Sequence, residues 1–418
     1  MRREARRRRY STFHDKPNHF GGADWDHVVM PANAPTAMTP TSPIAAVTHP
    51  DPYPYYRELA RTRPFYFDDA LNLWVAASAA SVAAVLDHPD ARVRPVGQPV
   101  PPALAGGPAG DLFGRLVRMN DGPAHAALKA IVMKRLAALD LGLVRVRAHA
   151  LASALPPATD DDAHEATRWM FTLPVLTVAD LLGLTLERDG EGHVTTRVAG
   201  FVSTFAMAMS TLATPADVEA GAAAAQWLTR CVQDGERTAA AGSLLQALSQ
   251  DSALAGIDKD VVIANAVGLM IQACEATAGL VGNTLVYLGR TGREDRSADD
   301  IDALVARVAH LDPPVQNTRR FMAADAIVRG QPVRANDAVL VLLAAAAHDP
   351  ESGTAQAGRP WTFGAGRHGC PGDALARVLA ACAVQGLLAR GLRPHRLVDG
   401  VRYRPSVNAR IPFFSTQP

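Results

Sequence analysis

The spacing of hydrophobic residues changes twice along the chain. After HPDPYPYYREL, which predicts the start of a helix, RPFYFDDALNLWVAAS alternates apolar and polar residues as the two strands of a hairpin do. Beyond it, alanine-rich segments repeat their apolar residues at helical spacing and break at Gly, Pro or Asp clusters. These predicted helical segments cover about 111–156, 162–184, 193–250, 259–290 and 297–312. Short strands are predicted over 320–340, and the alternating VRYRPSVNARIPFF closes the chain.

This pattern predicts one large, mainly helical domain with a small β part over residues 48–418. Residues 1–47 are polar and dotted with proline, and they begin with the arginine-rich MRREARRRRY, so we expect an irregular or disordered extension there. Within the domain, residues 92–110 are crowded with Pro and Gly and predict an ordered loop of the kind that borders ligand sites.

Composition limits the classes of function. The 418 residues are 48% hydrophobic and 20% charged, as in a soluble globular protein, and the formal net charge is +1. A near-neutral charge predicts neither a nucleic-acid partner nor a membrane-surface role. The longest apolar run, AVLVLLAAAA, is about half of a bilayer span, so we expect no membrane segment. Four cysteines without a CxxC pair predict neither a disulfide framework nor zinc, and they fit a reducing cytoplasm.

One cysteine lies in an unusual setting, the stretch FGAGRHGCPG from Phe363 to Gly372. A buried structural cysteine is the ordinary interpretation of a single thiol. Here, however, four glycines allow a tight turn whose N–H groups approach the sulfur, and the positive end of the following helix points at it. Such donors stabilise a thiolate and tune a bound metal. A lone thiolate is unsuited to zinc, which takes about four ligands, but it suits an iron held in a porphyrin.

The stretch FGAGRHGCPGDALAR resembles the haem-binding signature of the cytochrome P450 family and matches each of its fixed positions. The resemblance implies a mainly α structure, the cytochrome P450 fold, in which a large helical domain and a small β-sheet subdomain surround a buried haem b. It implies that Cys370 is the axial iron ligand, that Phe363 packs beside the sulfur and that His368 binds a haem propionate. Gly364 and Gly372 are signature glycines of the same cofactor-binding loop.

Two further stretches resemble the propionate-binding segments of the family. RLVRMNDGPAHAALKAIV resembles the helix that holds a propionate, and the match falls on His125 and Lys129, which one helical turn brings onto one face. DPPVQNTRRFMAADAIV resembles the segment whose arginine binds the other propionate, and the match falls on Arg320. Because a propionate is a carboxylate, cationic donors have a physical purpose at these places. Taken singly, each of these basic residues would fit a solvated surface better.

The central helix, VGLMIQACEATAGLVGNTL, departs from the family, which carries an acid followed by a threonine that deliver protons to dioxygen. The alignment puts the acid at Glu275 but Ala276 where the alcohol belongs, and Thr277 follows one residue late. Because consecutive helical residues differ by about 100°, Thr277 replaces the hydroxyl only if the helix is locally rewound. Glu275 and Thr277 are the candidate catalytic residues, with water or a substrate hydroxyl completing proton delivery. The ordinary alternative is a glutamate paired with a neighbouring helix residue.

A second departure lies before DPPVQ. There the family has a glutamate and, three residues later, an arginine, whose ion pair supports the cysteine loop. Here those positions are Arg307 and His310, and the connection from Asp349 to the cysteine loop is shorter than in the family. We hypothesise that Arg307 forms a reversed pair with an acid such as Glu351, because the loop needs local support when the usual pair is missing.

The resemblance implies a haem-thiolate oxidoreductase, a monooxygenase that activates dioxygen to hydroxylate, couple or cyclise a small organic molecule. Family habit points to natural-product biosynthesis. The sequence has no flavin or nicotinamide fingerprint, so we expect a separate ferredoxin and ferredoxin reductase as electron donors. We also expect a monomer. The missing alcohol leaves open a peroxide-driven variant, and the two departures together leave open a haem-binding sensor or carrier without turnover.

Overall fold

The computed structural model describes residues 39–157, 159–238, 242–292, 298–351, 359–399 and 401–415. Most of the predicted extension, residues 1–38, therefore lies outside the described residues. The last part of that extension packs into the fold, because Ala46 and Val47 are fully buried ahead of the predicted domain start at residue 48.

Helices make up most of the described chain, as the apolar spacing predicts. They are α1 (Tyr53–Thr62), α2 (Ala79–Asp87), α3 (Pro108–Arg115), α4 (Pro123–Ala137), α5 (Leu141–Ala154), α6 (Asp162–Leu181), α7 (Arg197–Ala208), α8 (Pro215–Thr238), α9 (Leu244–Leu254), α10 (Lys259–Gln272), α11 (Glu275–Thr291), α12 (Ala298–Leu311), α13 (Leu343–Ala347) and α14 (Asp373–Ala389). Several begin at a side-chain cap: Ser78, Asp140, Asp161 and Ser243 each accept a hydrogen bond from a backbone N–H of the first turn.

The strands form one five-stranded sheet and two small hairpins. The strands are β1 (Phe65–Asp68), β2 (Leu73–Ala76), β3 (Ala91–Arg92), β4 (Thr318–Met322), β5 (Ala326–Val328), β6 (Gln331–Val333), β7 (Ala338–Val341), β8 (Arg402–Tyr403) and β9 (Pro412–Phe413). The sheet order is β1-β2-β7-β4-β3, in which β2 and β7 are parallel and the other pairs antiparallel. The predicted hairpin is confirmed, with Phe65 opposite Ala76, and β8 pairs with β9 at the end of the chain.

The core lies around α11 and α14. Helix α14 packs against α5, α6, α11 and α12, so the helix that follows the cysteine loop is enclosed on several sides. Close approach is possible because Gly386 lacks a side chain: a Cβ there would lie 2.6 Å from the ring of Trp169 on α6. The position of the cysteine loop is therefore fixed by the most densely packed part of the protein.

The central helix is broken where the sequence predicts one element over 259–290. Helix α10 ends at Gln272 and α11 begins at Glu275, and Cys274 between them has φ −80° and ψ −92°, outside the helical range. The combined stretch Lys259–Thr291 is apolar and long enough to cross a membrane, but 72% of its most apolar window is buried inside the protein. That burial is typical of a core helix.

Arg410 ties the start of the described chain to its end. Its guanidinium donates to the carbonyl oxygens of Val47, His49 and Pro50 at 2.6–3.2 Å and to Oδ1 of Asp312 at 2.7 Å. The side chain is 1% exposed. A buried cation with this many acceptors holds three distant segments in one arrangement.

Candidate functional site

The loop around Cys370 is a tight turn stabilised by its own backbone. The N–H of Cys370 donates to the carbonyl oxygen of Phe363 at 2.7 Å, and the N–H of Gly372 points at Sγ of Cys370 at 3.4 Å. Gly364 and Gly366 have φ of 64° and 60°, which L side chains rarely adopt. The structure thus brings Phe363, Gly364 and Gly372 together around the sulfur, and α14 begins directly after it.

The sulfur is buried, and this burial raises the pKa of the Cys370 thiol. The N–H of Gly372, Lys129 and Arg359 act in the opposite direction, because each favours the thiolate. No group of three or more His, Cys, Asp or Glu that could hold an ion occurs in the part of the chain that the structure describes. This sulfur is therefore suited to be the single protein ligand of a metal whose other ligands are not protein side chains.

Two cations hold the cysteine loop from outside. Nζ of Lys129 on α4 donates to the carbonyl oxygen of Gly369 at 2.6 Å, and Nη2 of Arg359 donates to that of Cys370 at 2.5 Å. Nε of Arg359 also lies 3.3 Å from Oδ2 of Asp373. Lys129, predicted to bind a propionate, is thus engaged with the loop in this structure, and Arg359 is a residue that the sequence reasoning missed.

A second cluster lies beside the loop and is rich in groups that bind carboxylates. The rings of His125 and His368 are 4.3 Å apart, and Nε2 of His368 lies 2.9 Å from Oδ1 of Asp121. Burial lowers the pKa of Arg320 to about 10, and Asp121 is a nearby charge that raises it. Nη1 of Arg320 donates only to oxygens of its own strand, at 2.8 and 3.1 Å. Three predicted residues, His125, His368 and Arg320, therefore neighbour the same carboxylate, Asp121.

This cluster fits the haem that the cysteine signature implies. Nε2 of His125 is buried with no hydrogen-bond partner, and a buried polar atom of that kind is costly unless a ligand satisfies it. Burial first, and the charges of His368 and Lys129 next, lower the pKa of His125 to about 4. Since several bases face the single acid Asp121, added carboxylates such as the haem propionates would find donors and complementary charge here.

At its break the central helix borders open space, called the void below, at Gln272, Glu275 and Ala276. The side chains of Gln272 and Glu275 are exposed although most of the surrounding helix is buried, and Ala276 is half-buried. Burial among protein atoms nevertheless raises the pKa of Glu275. Thr277 is only 2% exposed, so it does not share this void. The structure therefore places Glu275 and the alanine that replaces the family's alcohol on the open face, and Thr277 away from it.

The hypothesis of a reversed ion pair at Arg307 is wrong among the residues that the structure describes. Arg307 is exposed and its guanidinium lies over the ring of Tyr287, 5.8 Å from its centre, while Glu351 lies in an exposed turn. The loop is supported instead by Lys129 and Arg359. Both lie far from Arg307 in sequence, which is why the local motif did not reveal them.

No family model matches the chain. A putative cytochrome P450 133B2 of Xylella fastidiosa is 25% identical over 299 residues, which are 66% of this chain and 73% of that protein. The pulcherriminic acid synthase of Bacillus subtilis is 23% identical over 363 residues, 78% of this chain and 85% of that protein.

Solved structures show the same likeness. CalO2 superposes on 91% of this chain and 99% of its own, with a TM-score of 0.69 and 24% identity. P450 RauA, solved in complex with a biosynthetic intermediate of aurachin RE, covers 90% and 97%, with a TM-score of 0.65 and 22% identity.

The chain is similar to cytochrome P450s both in sequence and in fold. Its fold is that of the family, and it is an oxidoreductase of the P450 monooxygenase type, whose cofactor is a haem iron. The chain carries Cys370 at the P450 cysteine position, but its Glu-x-x-Arg positions hold Arg307 and His310. Asp121, which precedes His125 in NDGPAH, could have been found from the sequence because it stands within the matched propionate segment.

Proposed function

We propose that this P450 binds haem b at Cys370 and oxidises a small organic molecule of the natural-product class. The observation that carries the proposal is the thiol itself, held by the Gly372 N–H at 3.4 Å beside the orphaned Nε2 of His125. When bound, the haem iron supplies one-electron chemistry and the activation of dioxygen. The chain's own task is to hold the sulfur, neutralise the propionates and control protons.

Cys370, Phe363, Gly364 and Gly372 form the ligand loop in this proposal, and His125, His368 and Arg320 bind the propionates. Lys129 acts on the same loop through the Gly369 carbonyl. Because this carbonyl directly precedes the ligand residue, a cation on it keeps the backbone in place while the sulfur carries negative charge.

Glu275 is the proposed proton-holding group on the void. Its side chain is open to the void, and burial raises its pKa, so the carboxyl oxygen retains a proton at higher pH than an ordinary glutamate does. Ala276 offers no hydroxyl, so water must connect Glu275 to the reacting atoms. Thr277, the other candidate catalytic residue, is assigned a structural role by its burial.

The electron donor in this proposal is a ferredoxin with its reductase. A cavity of about 480 Å³ opens beside Cys370, and Arg92, Lys129, Arg359 and Arg367 are among its lining residues. Met133, 50% exposed, lies at the same place and offers an apolar contact. A cationic surface next to the sulfur suits an acidic electron carrier, since complementary charge steers association.

We further propose that the protein acts as a cytoplasmic monomer.

The natural-product assignment is supported by what two similar proteins are called. One relative is a pulcherriminic acid synthase, and one similar structure holds a biosynthetic intermediate of aurachin RE. Hydroxylation, coupling and ring formation all remain within the proposal, because none of them requires an alcohol at position 276.

The first test is the absorbance difference between the ferrous protein with and without carbon monoxide. We expect the strongly red-shifted Soret band of thiolate ligation, and we expect Cys370→Ser to abolish it. A band at the position of histidine- or thiol-ligated haem in the wild type would contradict the assignment of Cys370. Substrate-dependent consumption of reducing equivalents would then separate the monooxygenase from a sensor or carrier without turnover.

The absence of the alcohol favours one further candidate, a peroxide-driven reaction. Ala276 half-buried on the open face is the observation behind it. Product formation supported by hydrogen peroxide at a rate equal to that with ferredoxin and reductase would favour the peroxide route. A rate far below it would favour the proposed electron-transfer route.

A further inference from the structure

Three ionisable side chains from distant elements interact through their charges at the start of α11. Arg118 lies in the short turn Val117–Met119 after α3, Glu275 begins α11, and Arg404 directly follows β8. The charges of both arginines act on Glu275, and the charge of Glu275 acts on each of them. No loop or helix contributes two of the three groups, so only the tertiary fold assembles them.

Arg118 is the unusual member of this group. Its Nε is buried and has no hydrogen-bond partner, and the structure shows no ion pair within 4 Å for its side chain among the described residues. Burial lowers its pKa, which reflects the cost of keeping a guanidinium away from water. Arg118 as a residue is half-buried, and an anion beside it would satisfy the buried Nε and complement its charge.

The turn that carries Arg118 is rigidly attached to α10. The N–H of Val117 donates to Oδ1 of Asn265 at 2.8 Å, and Nδ2 of Asn265 donates to the carbonyl oxygen of Arg115 at 2.8 Å. Asn265 itself is 6% exposed. The guanidinium of Arg404 is likewise held, 4.4 Å over the ring of Phe171. The backbone that carries Arg118 and the guanidinium of Arg404 are therefore in place before any ligand arrives, which reduces the entropy lost on binding.

The charges select the kind of ligand. Two guanidinium groups face one carboxyl group, so the site carries a net charge of about +1 when Glu275 is ionised, since arginine remains protonated in proteins. A monoanion balances this charge. The pairing that suits a guanidinium fork is the planar carboxylate.

We propose that this P450 takes a substrate bearing a free carboxylate, which Arg118 binds with Arg404 close by. This inference rests on the proposed function, because the void is treated as the substrate side of the haem. The carboxylate anchors the substrate at one end and thereby fixes which part of the molecule reaches the reacting centre. Glu275, next to the anchor, remains available to hold a proton.

The test uses probes that coordinate the haem iron at one end and test the void at the other. A graded series of imidazol-1-yl alkanoic acids and the matching imidazol-1-yl alkanols is titrated into the haem-loaded protein, and the shift of the Soret band gives each dissociation constant. We expect the acid of the best-fitting chain length to bind at least about 10-fold more tightly than its alcohol, since hydrogen bonds between charged groups are stronger than neutral ones.

Variants of Arg118 test whether this side chain causes the preference for the acid over the alcohol. In Arg118→Gln the preference for the acid should fall to within about threefold, while Arg118→Lys should retain part of it. Arg115→Gln is the matched control, because Arg115 is exposed on the preceding helix and its side chain reaches only the Asp111 carbonyl oxygen. Each variant is compared at equal haem content, so that a folding defect is visible. If Arg118→Gln fails to fold, the wild-type comparison of acid and alcohol still decides.

The titrations distinguish failure of the carboxylate site from failure of the proposed haem-dependent function. Equal dissociation constants for acid and alcohol at every chain length would overturn the carboxylate site and leave the proposed function intact, because imidazole coordination needs only the haem. Absence of any Soret shift with both probe types would overturn the haem-side placement of the void and with it this inference. An acid preference unchanged in Arg118→Gln, accompanied by loss of haem, would show that Arg118 binds the cofactor and would also overturn it.

Discussion

Nζ of Lys129 donates a hydrogen bond to the carbonyl oxygen of Gly369, 2.6 Å away, one residue before the proposed iron ligand. The two residues are 240 positions apart in the chain. This contact, together with Arg359 on the Cys370 carbonyl, supports the cysteine loop in a chain whose Glu-x-x-Arg positions hold Arg307 and His310.

The first prediction is that removing the Lys129 contact weakens thiolate ligation. Lys129→Met should leave the Gly369 carbonyl without its charged donor, a loss of about 1.5–3 kcal/mol for a hydrogen bond of this kind. We expect part of the carbon monoxide complex to shift from the thiolate band to the thiol band. Lys134→Met is the control, because Lys134 is exposed and pairs only with Asp251 on the surface. Identical spectra for both variants would contradict the support role.

The second prediction concerns stability. Arg410→Ala should lower the free energy of unfolding by about 3–5 kcal/mol, because it leaves Asp312 and three backbone carbonyls without their cation. Urea-induced unfolding measures the change. Arg61→Ala serves as the control, since Arg61 pairs only with exposed Glu58 and should change the free energy by less than about 1 kcal/mol. A loss for Arg410→Ala no larger than the control's would contradict the tie between the two chain ends.

The third prediction is a pH dependence caused by His125. Burial and the charges of His368 and Lys129 lower its pKa to about 4, whereas an unfolded histidine titrates near 6.5. Between these values the unfolded chain binds the proton and the folded chain does not, so His125 lowers stability as the pH falls from about 6.5 to about 4. Thermal unfolding of the haem-free protein across this range should show the loss.

In His125→Phe that part of the pH dependence should disappear, because no proton is taken up at this position on unfolding. Asp121 does not imitate the effect. Its burial would raise its pKa, but the hydrogen bonds from His368 and the Val93 N–H outweigh this and lower the pKa to about 2. Its stabilising contribution is therefore lost only below about pH 4, where an unfolded aspartate would protonate. Equal slopes for wild type and His125→Phe above pH 4 would refute the assignment.

The fourth prediction separates Glu275 from Thr277. Glu275→Gln keeps the size and polarity of the side chain but cannot exchange a proton, so the rate of substrate oxidation should fall by about 10²-fold or more. Thr277→Val should change the rate by less than about threefold, because its hydroxyl is buried away from the void. Product formation and peroxide release per reducing equivalent are the measurements. A larger loss in Thr277→Val than in Glu275→Gln would reverse the assignment.

Much of the site follows from short stretches of sequence. The turn around Cys370 was predictable because the glycines, the cysteine and the helix after them follow one another in the sequence. Local backbone geometry therefore decides their arrangement. The same holds for the hairpin of β1 and β2 and for most helices, whose apolar spacing is read within one segment. The break between Gln272 and Glu275 was not predicted, because the helical spacing of apolar residues continues on both sides of it and only the dihedral angles of Cys274 reveal it.

By itself the sequence determined the family resemblance, the mainly helical architecture and the identity of Cys370 as the special thiol. The tertiary structure decided which distant groups interact: Lys129 with Gly369, and Arg118 and Arg404 with Glu275. It also decided that Arg307 has no reversed pair with Glu351 and instead lies over Tyr287. The reason is physical: a motif constrains residues a few bonds apart, whereas contacts between side chains more than a hundred residues apart depend on how whole helices and strands pack.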